Sequence, residues 1–487
     1  MGTSERLSGR EKRFLILYSI VLLIVFSPSK ALGQAAPLIF LGGLIFFAQI
    51  QPRTHLVRFA VAAIALVGLG LAYYLIVPEF SFINYGLVIV TLSSFLVLCC
   101  DLRFIVTPTV LRWLSTITLV MLAFEALYGI LQGLVGASRN RSFDVANGDI
   151  VRGTIEPNFQ PAISGGNMIF AILLSSLLLF VLATGSGRRS WLRIAACALV
   201  VLAWLLASVL HTVIFLGGAT VVALAVQLGT RARPHAMPLR NRRRRAGFIA
   251  LGLGFAVALV LVPVLLPSNL ASIPYFARTT LTFGTDAQTG KALATYQTIA
   301  VVPQSYPLQP LIGFGPGQYS SRAALIRSGR YLTGGSSLGL PPYTSEATER
   351  YIMSVWESPY IDARTSSAVF PFYSWLSLYG ELGLLGVGAC VSALLWVVLN
   401  LRRGRSETFP RMHLMLTILL FYLFFLGIQD NYWEFTQAVF PAVLCWKLSY
   451  TALQVEHRAR LAVSRGAPTG VSSLLPQRQT IGQIEPI

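Results

Sequence analysis

The chain is poor in charge. Of 487 residues only 12% are Asp, Glu, Lys or Arg, about half of the roughly 25% usual in a soluble domain. That excludes an ordinary water-covered surface for most of its length and leaves lipid as the solvent. Acid is scarcer still: 19 Asp and Glu stand against 38 Lys and Arg, a net charge of +19. On a soluble protein such a balance suggests nucleic acid. Here there is no basic face interleaved with aromatics and no nucleic-acid motif, so no nucleic-acid partner is expected. Cysteine is sparse too. Cys99, Cys100, Cys197, Cys390 and Cys445 fall in or at the ends of apolar runs. They outline neither a disulfide framework nor a metal site and read as small packing residues.

What is abundant is apolar, at 55% of the chain. Runs long enough to cross ~30 Å of hydrocarbon lie at about 14–29, 32–50, 57–77, 82–100, 109–134, 159–184, 190–208, 211–228, 246–266, 371–400, 412–428 and 432–453. The stretch 190–229 is nearly unbroken. As one helix it would be about 60 Å long, twice the membrane, so a break is expected near Ser208–Thr212. The first run, followed by Ala31-Leu32-Gly33-Gln34-Ala35, has some features of a signal peptide. It is expected to remain as a helix.

Lys and Arg in the connections set the orientation. With the N-terminus cytoplasmic, 27 of the 38 bases lie inside, including seven arginines between Arg231 and Arg245, and 11 lie outside. Outside, 11 acids balance them; inside there are only 6. The basic charge therefore reads as a topology signal facing anionic lipid heads. With Glu434, at the outer edge of the last run, counted outside, Glu125 and Glu381 are the acids left within spans. The expected fold is all-α, a polytopic membrane bundle of about twelve helices. Residues 1–266 form nine spans, 267–370 one large non-cytoplasmic loop of short helices, and 371–453 three further spans. Residues 454–487 form a cytoplasmic tail, rich in Ser, Gly, Pro and Gln, that is expected to be disordered.

Two outer segments are long enough to carry function. In 135–158, Arg152 to Asn158 reads Arg-Gly-Thr-Ile-Glu-Pro-Asn directly before a span. Pro157 suits the first turn of a helix, which would set Arg152 beside a helix N-terminus. An anionic group such as a diphosphate is well served there; an ordinary interfacial arginine is the plainer alternative. The large loop carries eight tyrosines from Tyr275 to Tyr360, Trp356, seven bases and five acids. Flat rings with Arg and carboxylates suit sugars, and a cap that merely packs on the bundle is the alternative. Within it Gly313-Phe314-Gly315-Pro316-Gly317-Gln318-Tyr319 follows a Pro-marked stretch, and its glycines permit a tight turn. The next span runs through Glu381-Leu382-Gly383-Leu384-Leu385-Gly386. Gly383 and Gly386 would share a helix face, and an intramembrane carboxylate is a functional candidate by default.

These three pieces, in this order, resemble the O-antigen ligase and O-antigen polymerase superfamily of bacterial inner membranes. Members show an Arg-x-Gly-Thr-x-x-x-Pro-Asn-like stretch, a Gly-x-Gly-x-Gly-x-Tyr/Phe turn in a large periplasmic loop, and a span that opens with His-Asn and continues to Glu-x-Gly-x-x-Gly. The resemblance covers roughly 150–400. It departs at three places: the His-Asn pair falls on Phe372-Tyr373, the family's Ser-Arg has only His211-Thr212 near it, and the Arg before the glycine turn is absent, with Lys291 nearby. A polymerase, or a ligase-like enzyme of divergent specificity, fits better than lipid A–core ligation.

The resemblance implies transfer of a glycan from a polyprenyl diphosphate to an acceptor sugar hydroxyl, without a metal or other cofactor. Arg152 is the first candidate for the diphosphate, followed by Arg322, Arg327, Arg330, Arg350 and Arg364. The base candidates are Glu156, His211, Glu357 and Asp362. Asn158, Gly313, Gly315, Gly317, Tyr319 and Glu381 are placed with substrate binding. The implied partners are the lipid-linked glycan, an acceptor glycan and membrane lipids, with polysaccharide-export or chain-length proteins as candidate neighbours. A flippase for a lipid or polysaccharide is the competing class. It would more often show short outer loops and more charge in mid-span.

Overall fold

The computed structural model describes residues 7–46, 52–140, 150–159, 165–184, 191–228, 273–274, 282, 284, 287–330, 339–363, 367–403 and 411–464. Among these the chain is all-helical, with no strand. The expected span 246–266, the basic segment Arg231–Arg245, Arg364, Tyr275, Tyr331 and the tail beyond Ser464 lie outside the described residues. The first group of helices is α1 (Gly9–Val25), α2 (Lys30–Phe46), α3 (Pro52–Ile76) and α4 (Phe82–Thr91). After a bend of 64° α4 continues as a 3-10 helix, Ser93–Cys99. Then come α5 (Pro108–Asn140), α6 (Gly166–Thr184), α7 (Trp191–Leu206) and α8 (Leu210–Leu228). The long segment that follows holds short helices, chiefly α9 (Gly290–Tyr296) and α10 (Arg322–Ser328). The chain closes with α11 (Ser374–Arg403), α12 (Met412–Gln429) and α13 (Thr436–Ser464).

Seven of the described helices are long and apolar enough to cross a membrane, and the bent pair Phe82–Cys99 makes an eighth. The chain is a multi-pass helical membrane protein. Helices α1, α2 and α7 have 17, 17 and 16 residues, short of the roughly 20 that a straight span takes. The break expected near Ser208 is present: α7 stops at Leu206, and Ser208 takes a positive φ of 62°. Gly383, expected on a packing face, instead interrupts α11 with φ 62° and ψ −161°. Only glycine adopts that backbone without strain.

The helix α6 is the centre of the bundle, 89% buried over its span, whereas α3 and α11 are 11% buried. A centre surrounded by other helices must be apolar on every side, and α6 reads that way, from Ile169 through Val181. Hydroxyls join neighbours where lipid offers no partner: Tyr18 to Thr118 at 2.8 Å and Ser175 to Tyr422 at 2.9 Å. The outward side chains of α3 and α11, such as Ile64, Val67, Leu395 and Trp396, are exposed apolar surface that acyl chains would cover.

The two ends of the bundle differ. At one end Arg103 pairs with Asp101, Arg58 lies 3.5 Å from the same carboxylate, and Lys447 donates to the Leu98 carbonyl at 2.6 Å. The other end carries the α1–α2, α5–α6, α7–α8 and α12–α13 connections together with the segment between α8 and α11. That segment has its own core of Phe314, Tyr319, Leu325, Tyr351, Met353 and Phe372. Tyr319 and Tyr351 are therefore packing residues, not open sugar platforms; Tyr360, by contrast, is 91% exposed.

Candidate active site at the loop end of the bundle

Three constructions meet at this end. The first is the Arg152 loop, held by α5. Glu125 and Gln132 are seven residues apart, two helical turns, and so share a face. Gln132 accepts from the Arg152 and Gly153 N–H groups at 2.9 and 2.8 Å, and its amide donates to the carbonyls of Gly153, Glu156 and Asn158. Glu125 accepts from the Thr154 N–H at 2.9 Å and bonds its hydroxyl at 2.5 Å. Gly153 has φ +61°, and a Cβ there would lie 2.4 Å from Phe170. Arg152 is fully buried, with its guanidinium 2.5 Å from Glu156, which also stands 3.5 Å from Lys30. The expected exposed cation at a helix start is thus an internal ion pair, and α6 begins at Gly166 rather than at Pro157. Asn158 is exposed and touches the assembly through its carbonyl.

The second is a clasp between the glycine turn and Glu381. The carboxylate accepts from the N–H groups of Gly317 at 2.6 Å, Tyr319 at 3.2 Å and Ser321 at 3.0 Å. The N–H groups of Phe314 and Gly315 donate to the carbonyls of Gly380 and Glu381, both at 2.9 Å. Backbone meets backbone because side chains are missing. Cβ atoms on Gly313 and Gly383 would lie 2.2 Å from Glu381 and 2.3 Å from Leu311 main chain. The turn also binds outward: Asn84 donates to the Gly317 carbonyl at 2.9 Å and Tyr73 to the Ile312 carbonyl at 2.5 Å. Residues expected near substrate are here occupied with one another.

The third was not anticipated. The α12–α13 connection, Asp430-Asn431-Tyr432-Trp433-Glu434, is a buried polar strap. Asn431 donates to the Ser320 carbonyl at 2.9 Å and accepts from Ser377 at 3.1 Å. Glu434 accepts from the Arg322 N–H at 2.7 Å, and the Arg322 guanidinium lies 3.6 Å from the centroid of the Phe435 ring. Lys291 donates to the carbonyls of Gln429, Ile428 and Ser367 at 2.6, 3.2 and 3.2 Å. It thereby satisfies the C-terminal end of α12, where free carbonyls attract a cation. His211, second residue of α8, has Nε2 3.0 Å from the Tyr432 hydroxyl and stacks on that ring at 5.7 Å. The same hydroxyl donates to the Met168 sulfur at 3.1 Å. Met168 and His211 open α6 and α8, so the strap ties the segment after α8 to the bundle proper.

Burial dominates the electrostatics. It pushes the Glu434 carboxyl up to about 8, with the Glu381 carboxylate adding to the shift and the Arg322 N–H opposing it. Burial likewise raises Asp430 and lowers Lys291, and their mutual attraction opposes both shifts. Groups held this far from their ordinary values concentrate at functional sites.

No family model matches the chain, and no curated protein matches it.

The remaining candidates disperse. Glu357 and Arg330 form an exposed ion-pair trio with Glu349, at 3.5 and 2.6 Å from Arg330. Arg350 lies over the Tyr351 ring at 5.4 Å. Asp362 pairs through its backbone with Gln288 and Gly290 at the start of α9. Arg327 is buried against Tyr343, and its Nε and Nη1 carry no hydrogen bond among the described residues. Phe372, where the resemblance would have a histidine, is 1% exposed and packs on Trp356 and Phe370. The strap had one signal in the sequence: two acids, an amide and two large aromatics within five residues between apolar runs. A minimal helix connection needs none of them.

Proposed function

We propose that the chain is a glycosyltransferase of a bacterial inner membrane. It transfers or polymerises a glycan carried on a polyprenyl diphosphate, with both termini cytoplasmic and the 267–370 loop periplasmic. One observation carries the reading: Lys291, Arg322, His211, Asp430 and Glu434 converge on one strap at one end of an apolar bundle, beside the three motifs that resemble the ligase and polymerase superfamily. A lipid-linked donor needs this arrangement, with its chain in the membrane and its diphosphate at the surface.

The chemistry follows from the groups present. The acceptor hydroxyl oxygen attacks the anomeric carbon, the bond from that carbon to the diphosphate oxygen breaks, and the polyprenyl diphosphate leaves with the electron pair. Arg322, partly exposed and held over Phe435, supplies charge for the leaving group; oriented charge in a low-dielectric site is the strongest aid to such a departure. Arg152, enclosed with Glu156, orders the neighbouring loop. His211 is the base assigned to the acceptor proton, because Glu156 is neutralised by two cations and Glu357 sits in an exposed ion pair.

The test is a reconstitution with a lipid-linked glycan donor and no nucleotide. Release of free polyprenyl diphosphate with lengthening of the glycan supports the reading. Movement of intact donor across the bilayer without cleavage replaces it with a flippase.

A further inference from the structure

Lys291 carries a buried ammonium, the residue being 7% exposed. An ammonium has three protons to donate, and three main-chain carbonyls accept from it: Gln429 at 2.6 Å, Ile428 at 3.2 Å and Ser367 at 3.2 Å. Two of these carbonyls belong to the last residues of α12, and the third lies just before α11. The Tyr373 ring is 5.2 Å from the same ammonium, and the Lys291 N–H donates to the Val369 carbonyl at 2.9 Å. The residue therefore joins the start of α9 to the ends of two spans. With all three protons engaged, it reaches a diphosphate only by releasing the backbone that it holds.

The strap begins at the next residue after Gln429, and its members are fixed one after another. The Asp430 carbonyl accepts from the Ser374 N–H at 3.2 Å and from the Ser374 hydroxyl at 3.1 Å. Asn431 accepts from the Ser377 hydroxyl at 3.1 Å, and the Tyr432 hydroxyl stands 3.0 Å from His211 Nε2. The Gln429 side chain repeats the link made by Lys291, donating to the Ser367 hydroxyl at 3.2 Å. Lys291 thus holds the point from which the strap is launched, and Tyr432 is the member of it that meets the histidine.

We infer that Lys291 is a positioning residue, which fixes the start of the strap so that Tyr432 holds His211 where the acceptor hydroxyl loses its proton. This rests on the reading of His211 as the base. Without the ammonium the carbonyls of Ile428 and Gln429 lose their donor, and buried acceptors left unmatched are costly. The end of α12 turns to find other donors, and the strap moves with it. A displacement of about 1 Å at a reacting group lowers a rate by about 10²-fold. Donor binding does not pass through Lys291 and is kept.

The experiment uses purified full-length protein in lipid–detergent micelles with the lipid-linked donor. Lys291→Ala is expected to lower kcat about 10²-fold with KM within about twofold. Propylammonium chloride supplies the deleted stem and ammonium as a free molecule, and it restores kcat about tenfold. Tetramethylammonium has the same charge but no N–H, and it restores none. Hydrogen exchange reads the strap without turnover. The Tyr432, Trp433 and Glu434 amides exchange about tenfold faster in Lys291→Ala, while those of Gly317 and Tyr319, held by Glu381, do not change. Should Lys291→Ala fail to fold, Lys291→Met keeps the apolar stem beside Tyr373 and carries the kinetic and exchange measurements, with the same expected losses. A raised KM at unchanged kcat would make Lys291 a donor-binding cation and overturn the inference. Unchanged exchange across the strap, or equal rescue by tetramethylammonium, overturns it too, and the proposed activity stands. If the wild type releases no polyprenyl diphosphate, the proposed function is overturned, and the exchange result alone decides whether Lys291 holds the strap.

Discussion

Gly313 and Glu381 touch main chain to main chain: a methyl group on Gly313 would stand 2.2 Å from the carbonyl carbon of Glu381. Sixty-eight positions separate them in the numbering, yet this contact fixes how the loop segment sits on α11. Gly313→Ala combines a disfavoured φ of +75° with that collision. It is expected to cost about 3 kcal/mol or more. Gly329→Ala is the internal control. It has a φ of +72° but nothing within 4 Å of the added methyl, so the cost is about 1 kcal/mol. Thermal unfolding of both variants in detergent measures the difference, and equal losses would refute the clasp.

Glu125 and Gln132 act on one loop from one helix face. Either change to alanine leaves buried N–H groups of Gly153 or Thr154 without acceptors, at about 1–3 kcal/mol for each group. The double variant should lose less than the sum of the singles, because both release the same segment. Hydrogen exchange at the Gly153 and Thr154 amides reads this directly. Unchanged protection in both singles would show that the loop is held by something else.

Glu434 also links stability to pH. Its folded-state value, about 8 against an ordinary 4.5, means that the fold retains a proton which the unfolded chain releases. That contribution is complete below about pH 4.5 and disappears as pH rises through about 8. Wild-type Tm should therefore fall between pH 5 and 9 relative to Glu434→Gln. Parallel curves for the two proteins would rule out the shift.

His211 and Tyr432 should separate in kinetics. If His211 takes the acceptor proton, His211→Ala lowers kcat by about 10²–10⁴. Tyr432→Phe, which only removes the hydroxyl that orients the ring, lowers it about tenfold. Released polyprenyl diphosphate is the readout. Normal turnover in His211→Ala would remove the histidine from the chemistry.

Much of the bundle was legible because membrane spans announce themselves locally. Long apolar runs and the polar break at Ser208 needed no knowledge of distant partners. The site was less legible for the opposite reason. Glu381 looked like a lone mid-span carboxylate because its donors lie some sixty residues upstream. Arg152 looked like a surface cation because its enclosure by Glu156, Gln132 and Gly166 is tertiary. Tyrosines in a long loop resembled sugar platforms, but Tyr319 and Tyr351 were needed to fill a core that a short helical segment could not otherwise close. Gly383 was read by its helical spacing, and only the approach of the Leu311 main chain explains why it leaves the helix. The last apolar run was drawn from Tyr432 onward, which cut through the strap from Asp430 to Glu434, and the polar density there was the clue not weighed.

The hold of Glu381 on the glycine turn has an evolutionary corollary. An anion that sought those same peptide N–H groups would have to evict a carboxylate that is covalently anchored in α11 and always present. Any anion bound at this end is therefore left to side chains, while the main-chain framework stays occupied. On the proposed reading, such a scaffold exchanges one glycan for another by a few point changes and never renegotiates its fold.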